Sequence, residues 1–212
     1  MTVGTHEAPS SRPETRPETR PETKGERTQA RILQAAVDRF GANGFRATSV
    51  AAVARDAGVS AAAPFAYWPS KEALFDAAVD RDAHDVIAEL LGGLGEGMEV
   101  TELLGLVNQL VAVLGHHPLA RRVLAGQEPE VIDRVLELPA FHDLRALLTQ
   151  LVVAGQEAGL VRADIDPARA AIGIESITLA LAMATLQLQE PPNPERAAGV
   201  AEILFAAFRP PS

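Results

Sequence analysis

Residues 48–68 read TSVAAVARDAGVSAAAPFAYW, and the spacing within this stretch decides the fold. Thr48 offers an N-cap oxygen to a helix carrying Val50, Val53 and Ala54, which stops near Ala57-Gly58. Ser60 offers a cap to a third, very short helix before Pro69-Ser70 breaks the chain again. Ala54 stands where two helices cross closely, Gly58 where the turn needs a permissive backbone, and Val59 where the turn is pinned to the core. This is helix-turn-helix spacing, whose second helix projects far enough to enter a major groove about 12 Å wide.

Working outward, Ile32, Leu33, Ala36, Val37 and Phe40 fall on one face of a helix spanning Arg27 to Asn43, and Gly44 follows as a left-handed cap. Order is expected from about Glu26. On the other side, Ser70 with Ala73, Leu74, Ala77 and Ala78 opens a long helix reaching about Leu91. Six of the nine aromatics, Phe40, Phe45, Phe65, Tyr67, Trp68 and Phe75, fall in this head, which is therefore expected to have a core of its own. Before it, residues 12–23 read RPET three times; proline every fourth residue forbids a helix, so an extended flexible tail is expected. Its arginines Arg12, Arg16 and Arg20 either follow a minor groove or are offset by the glutamates between them.

After the glycine-rich stretch 92–97, helical patterns run over roughly 100–115, 117–126, 128–137, 140–158, 167–189 and 194–208. Asp166-Pro167 supplies the cap and first-position proline of the penultimate helix. The expected fold is all-α. It comprises a disordered tail over 1–25, a three-helix helix-turn-helix DNA-binding domain over 26–70, and a larger helical ligand-binding and dimerisation domain over 71–212.

In order along the chain, Ile32, Ala35-Ala36, Phe40, Gly44-Phe45, Ala47-Thr48-Ser49-Val50, Val53-Ala54, Ala57-Gly58-Val59-Ser60, Phe65, Tyr67-Trp68 and Ser70-Lys71-Glu72-Ala73-Leu74 resemble the DNA-binding domain of TetR-family transcriptional regulators. A looser likeness covers 158–164. The resemblance implies that Thr48, Ser49, Tyr67 and Lys71 contact phosphates, where hydroxyls, an ammonium and helix N–H groups favour an anion. Base reading falls to Ser60, Ala61, Ala62, Ala63 and Tyr67. Here the chain departs from the usual pattern: three alanines replace longer polar residues, and Pro64 removes a backbone N–H. Alanine touches a thymine methyl but cannot hydrogen-bond a base edge, so specificity is expected to rest on methyl contacts and DNA shape.

Composition agrees with this division. The net charge of −9 hides a mildly basic segment over 11–75, with ten Lys/Arg against seven Asp/Glu, and an acidic one over 76–212 with nine against twenty. A basic head approaches phosphates while an acidic body is repelled, which orients the molecule on a polyanion. There is no cysteine, hence no disulfide or thiolate metal site, and the N-terminus does not read as a signal peptide; a cytoplasmic location is expected. The most membrane-like window, 170–188, is interrupted by Glu175, Ser176, Thr178, Thr185 and Gln187 and reads as a buried helix.

In the body, Leu144, Leu147, Leu148 and Leu151 form one helical seam and Ile174, Thr178, Leu181 and Thr185 another; paired with their symmetry mates they would make the four-helix homodimer interface usual in the family. An apolar cavity for a small-molecule ligand is expected among Leu103, Val107, Val111, Leu114, Phe141 and Met183, with His142 and Gln187 as polar neighbours. No metal site, cofactor or catalytic residue is expected: the adjacent His116-His117 lack a carboxylate at ligand spacing, and nucleophile-elbow, phosphate-loop and H-E-x-x-H motifs are absent. The resulting expectation is a repressor released from a palindromic operator by a small apolar molecule. The alternatives are a body that binds a protein partner and, more remotely, a helical enzyme.

Overall fold

The structure is a computed structural model describing residues 23–92, 109–132, 135–188 and 194–210. It is all-α, with no strand among the described residues. Helix α1 spans Lys24–Ala47, α2 Val50–Asp56, α3 Lys71–Gly92, α4 Pro118–Leu124, α5 Pro129–Ile132, α6 Pro139–Glu157, α7 Pro167–Leu188 and α8 Pro194–Phe208. Residues 109–113 are also helical, and 3-10 turns occupy Ala63–Ala66 and Val135–Glu137.

Helix α1 begins two residues before the expected onset of order. Thr23, the last residue of the third RPET repeat, caps it in a reciprocal box: its hydroxyl accepts from Glu26 N–H at 3.2 Å while the Glu26 carboxylate accepts from Thr23 N–H at 2.6 Å. At the other end Gly44 takes φ +79°, open to glycine and costly for other residues, and the helix kinks there. A Cβ on Gly44 would meet the Arg122 guanidinium at 2.5 Å and a Glu128 carboxylate oxygen at 2.7 Å.

That proximity shows how head and body join. Ile32, Ala36, Phe40, Val53, Leu74 and Phe75 pack in one continuous cluster with Leu114, Leu119, Val123, Phe141 and Ala182. Helix α1 lies against both α3 and α4, close enough that a Cβ on Gly41 would sit 3.1 Å from the Leu119 nitrogen. The head therefore does not close off a core of its own as expected; too small to bury α1 on every side, it borrows α4 as a lid.

Helix α3 binds the body through two carboxylates. The first positions of α4 and α6 are prolines, and neither helix has a side-chain cap of its own. Asp82, 3% exposed, accepts Ala120 N–H at 2.7 Å, and Asp80 accepts Ala140 N–H at 3.0 Å. Each supplies from α3 the anion that an N-terminus attracts. The expected Asp166 cap of α7 is present, accepting Arg169 N–H at 2.9 Å. Helix α7 is long and apolar enough to cross a membrane, yet it packs along α6 and carries the buried Glu175, as a helix of the body does.

Candidate nucleic-acid interface

Helix α2 ends as the sequence requires. Gly58 adopts φ +67°, and the N–H groups of Gly58 and Val59 return to the carbonyls of Arg55 and Ala54 at 3.1 and 3.0 Å. Its N-cap, however, is Ser49, whose hydroxyl accepts Ala52 N–H at 3.2 Å. Thr48, expected in that role, is 3% exposed and turns its hydroxyl to the Arg39 carbonyl at 3.3 Å. Two adjacent hydroxyls competed for one cap, and the methyl-bearing one was buried.

A second correction concerns the reading element. The segment after Ser60 is not an α-helix: it forms a turn and then a 3-10 turn over Ala63–Ala66. Pro64 is the cause. Without an N–H it cannot return a bond to Ser60, and the chain tightens to i→i−3 bonds, Ala63 to Ser60 at 3.0 Å and Phe65 to Ala62 at 3.2 Å. Ser60 caps nothing; the cap position is Ala62, with no side-chain hydrogen bond. The proline ring is fully buried and anchors the turn to the head.

The outward face of this turn carries Ser60, Ala61, Ala62, Phe65, Ala66 and Tyr67, all exposed, with Ala63 half-buried. Phe65, assigned to the core on composition, is 53% exposed instead. Phe40 and Phe75 fill the core edge to face at 5.0 Å, with Trp68 buried and Phe45 partly so. An exposed phenylalanine beside three alanines makes this face apolar. The missed signal is period: Pro64 and Trp68 face inward together, which turns Phe65 out.

Around this face stand polar groups. Ser49 is exposed; Lys71 sits half-buried at the start of α3 with its ammonium 4.3 Å above the Phe45 ring. Tyr67 donates its hydroxyl to the Gly25 carbonyl at 3.2 Å, tying the turn to the first residues of α1. Ser70 caps α3, accepting Ala73 N–H at 3.1 Å. Arg39 is already committed, 2.5 Å from Asp56; this hydrogen bond holds the Asp56 carboxyl below its usual range.

Behind the head lies an apolar cavity, part of it open to solvent. Its walls are Val79, Ala83, Val86, Ile87, Leu90 and Leu91 of α3 facing Leu144, Leu148, Leu151, Ile174 and Thr178 of α6 and α7, closed by Leu114, Val123 and Phe141. Of the expected cavity residues, Leu114 and Phe141 are on the wall. Val111, His142, Met183 and Gln187 are not; Gln187 instead donates to the Leu124 carbonyl at 3.2 Å. Leu103 and Val107 lie outside the described residues.

Five of the eight residues expected at a subunit interface, Leu144, Leu148, Leu151, Ile174 and Thr178, stand on the wall of this partly open cavity, Leu151 being exposed. Leu147, Leu181 and Thr185 are half-buried. The faces turned outward carry Val153 and Ala154 on α6 and Ile172, Ser176, Ala180 and Ala184 on α7. Both helices are apolar on two sides.

Fold and site define a helix-turn-helix protein with a cavity-bearing helical body. Residues 32–78 match the family model of bacterial regulatory proteins of the tetR family. Among solved structures, a protein described as a TetR-family transcriptional regulator from Mesorhizobium loti MAFF303099 is similar at TM-score 0.64 and 25% identity, covering 89% of this chain and 100% of that one. The fatty acid degradation regulator FadR from Bacillus halodurans follows at TM-score 0.63 and 20% identity, covering 87% and 97%. FadR from Bacillus subtilis in complex with stearoyl-CoA has TM-score 0.61 and 18% identity, covering 85% and 99%. Among curated proteins, none matches the chain in sequence. Residues 32–78 thus carry the DNA-binding domain of tetR-family regulators, the rest of the chain shares the fold of these solved structures, and the chain is a DNA-binding transcriptional regulator.

Proposed function

We propose that the chain acts in the cytoplasm as a homodimeric repressor that occupies a palindromic operator and leaves it when a small apolar molecule enters the body cavity. One observation carries this reading: α3 starts at the DNA head and lines the cavity with Val79, Ala83, Val86, Ile87, Leu90 and Leu91. A ligand that prefers one position of this helix also selects one position of the head.

On DNA, Ser49, Tyr67 and Lys71 contact phosphates, and Ser60, Ala61, Ala62, Ala63 and Phe65 meet base edges. Thr48, its hydroxyl turned inward, serves by seating α2. An apolar reading face fits thymine methyls and DNA shape better than bidentate bonds to guanine. Dimerisation uses the outward faces of α6 and α7. Their small residues allow close helix approach, and α7, although apolar, leaves Ile172, Ala180 and Ala184 exposed in the protomer. Two heads about one turn of DNA apart then read two half-sites.

The test is a gel shift on the gene's own upstream region, with and without candidate lipophiles, at stated salt. Salt-sensitive binding that a lipophile weakens supports the reading; binding that no lipophile alters would remove the ligand response and leave the DNA-binding protein.

A further inference from the structure

Among the described residues that line the cavity, Glu175 is the only charged one, and the rest apart from Thr178 are apolar. Its side chain is 4% exposed. Oε2 meets Arg145 Nε at 2.9 Å, while Oε1 is buried with no hydrogen-bond partner. Arg145 is otherwise occupied, donating to the main-chain carbonyls of Phe141, at 3.2 Å, and Leu136. A buried carboxylate oxygen that lacks a donor bears its full desolvation penalty, so a donor brought to it gains more than one brought to an exposed acceptor.

Resting on the reading of this cavity as the ligand site, we propose that it takes a neutral lipophile bearing a hydroxyl, and that Glu175 Oε1 accepts the hydroxyl hydrogen. Charge selects the head group. A carboxylate or phosphate would meet a carboxylate whose one cationic partner, Arg145, is already committed to it, and among the described residues no cationic side chain lines the cavity to take the added charge. An ammonium would bring a second positive charge to a carboxylate already balanced by Arg145. A hydroxyl leaves the pair balanced and supplies the missing hydrogen. Burial pushes the Glu175 carboxyl above its usual range against the pull of Arg145 and His142, as expected for a carboxylate short of donors. The apolar remainder of the wall takes an alkyl or alicyclic body.

The experiment displaces Nile red from the full-length protein with a matched series: decane, 1-decanol, decanoate and decylammonium. Decanol is expected to bind at least about tenfold tighter than each of the other three, the ratio that about 1.4 kcal/mol gives. Glu175→Gln keeps an acceptor and removes the charge; it should hold decanol within about threefold and weaken the bias against decanoate. Glu175→Leu, paired with Arg145→Met so that no buried cation is stranded, should reduce decanol to the affinity of decane. Equal affinities across the series in the wild type, or decanoate bound tightest, would overturn the head-group assignment while keeping the ligand cavity. Failure of Nile red and all four compounds to bind would overturn both.

Discussion

The buried carboxylate of Glu128 accepts the backbone N–H of Phe45 at 3.0 Å. Its other oxygen pairs with Arg122 Nε at 2.7 Å, and the side chain is only 3% exposed. A body residue thus holds the kink that ends α1, three residues before the helix-turn-helix segment begins, and Val123 and Leu124, next to Arg122 in α4, line the cavity. Replacing Glu128 with Ala would strand the Arg122 cation and the Phe45 amide. Breaking a buried pair this way costs about 3–5 kcal/mol. Urea melts should show a loss of that size, and operator affinity should fall with it; a loss under about 1 kcal/mol would mean that water replaces the carboxylate.

Gly44 tests the same junction from the other side. A Cβ there collides with the Arg122–Glu128 pair, and the backbone sits at φ +79°. Gly44→Ala should therefore destabilise by more than the roughly 1 kcal/mol of an ordinary glycine-to-alanine conflict at positive φ. A stability unchanged within about 0.5 kcal/mol would mean that the junction is loose.

Phe65 separates reading from folding. At 53% exposure it contributes little to the core. Phe65→Ala should leave the thermal midpoint within a few degrees of wild type but weaken operator binding by about 1–3 kcal/mol, the scale of a base contact. Selection from random DNA should return thymine-rich half-sites. A G-rich site read strongly at every position would defeat the methyl-contact account.

If the outward face of α7 forms the proposed dimer interface, a charge placed there should keep the chain monomeric. Ala180 is exposed, so Ala180→Glu costs the protomer little, yet in a symmetric interface it sets two carboxylates close together. Light scattering should report a monomer, with operator affinity sharply reduced. A dimer of undiminished stability would place the interface elsewhere.

Histidines should give the body a pH dependence. Burial works to lower the His117 pKa, but hydrogen bonds to Asp82, at 2.7 Å, and Glu89, at 3.2 Å, outweigh it, and the pKa is raised from 6.5. His84 is raised likewise, through Asp80 and Asp143 against burial. A raised pKa means that the folded state holds the proton more tightly than the unfolded one. This stabilisation is complete below about pH 6.5 and is lost as pH climbs through the raised folded values. His117→Asn should flatten the decline in thermal midpoint above neutrality; an unchanged slope would exclude His117 as its source.

The head was largely legible in the sequence because its signals are local. Gly58 must take a left-handed backbone, Ser70 is a cap followed by an apolar stripe, and Asp166-Pro167 can only open a helix; each is settled within four residues. The same local reasoning misjudged Thr48 against Ser49, since either hydroxyl can cap and burial made the choice. It also placed a short helix after Ser60 despite Pro64, whereas the missing N–H tightened the segment to a 3-10 turn.

From the chain alone came the all-helical class, the helix-turn-helix, the alanine-poor hydrogen bonding of its reading face and the charge division between head and body, because each depends on neighbours in sequence. Tertiary structure decided which stripes of α6 and α7 line the cavity, that Asp80 and Asp82 cap helices other than their own, and that Glu128 grips Phe45 across 83 positions. Helical periodicity finds an apolar face but carries no information about what will cover it. That is set only when distant segments compete for the same buried space.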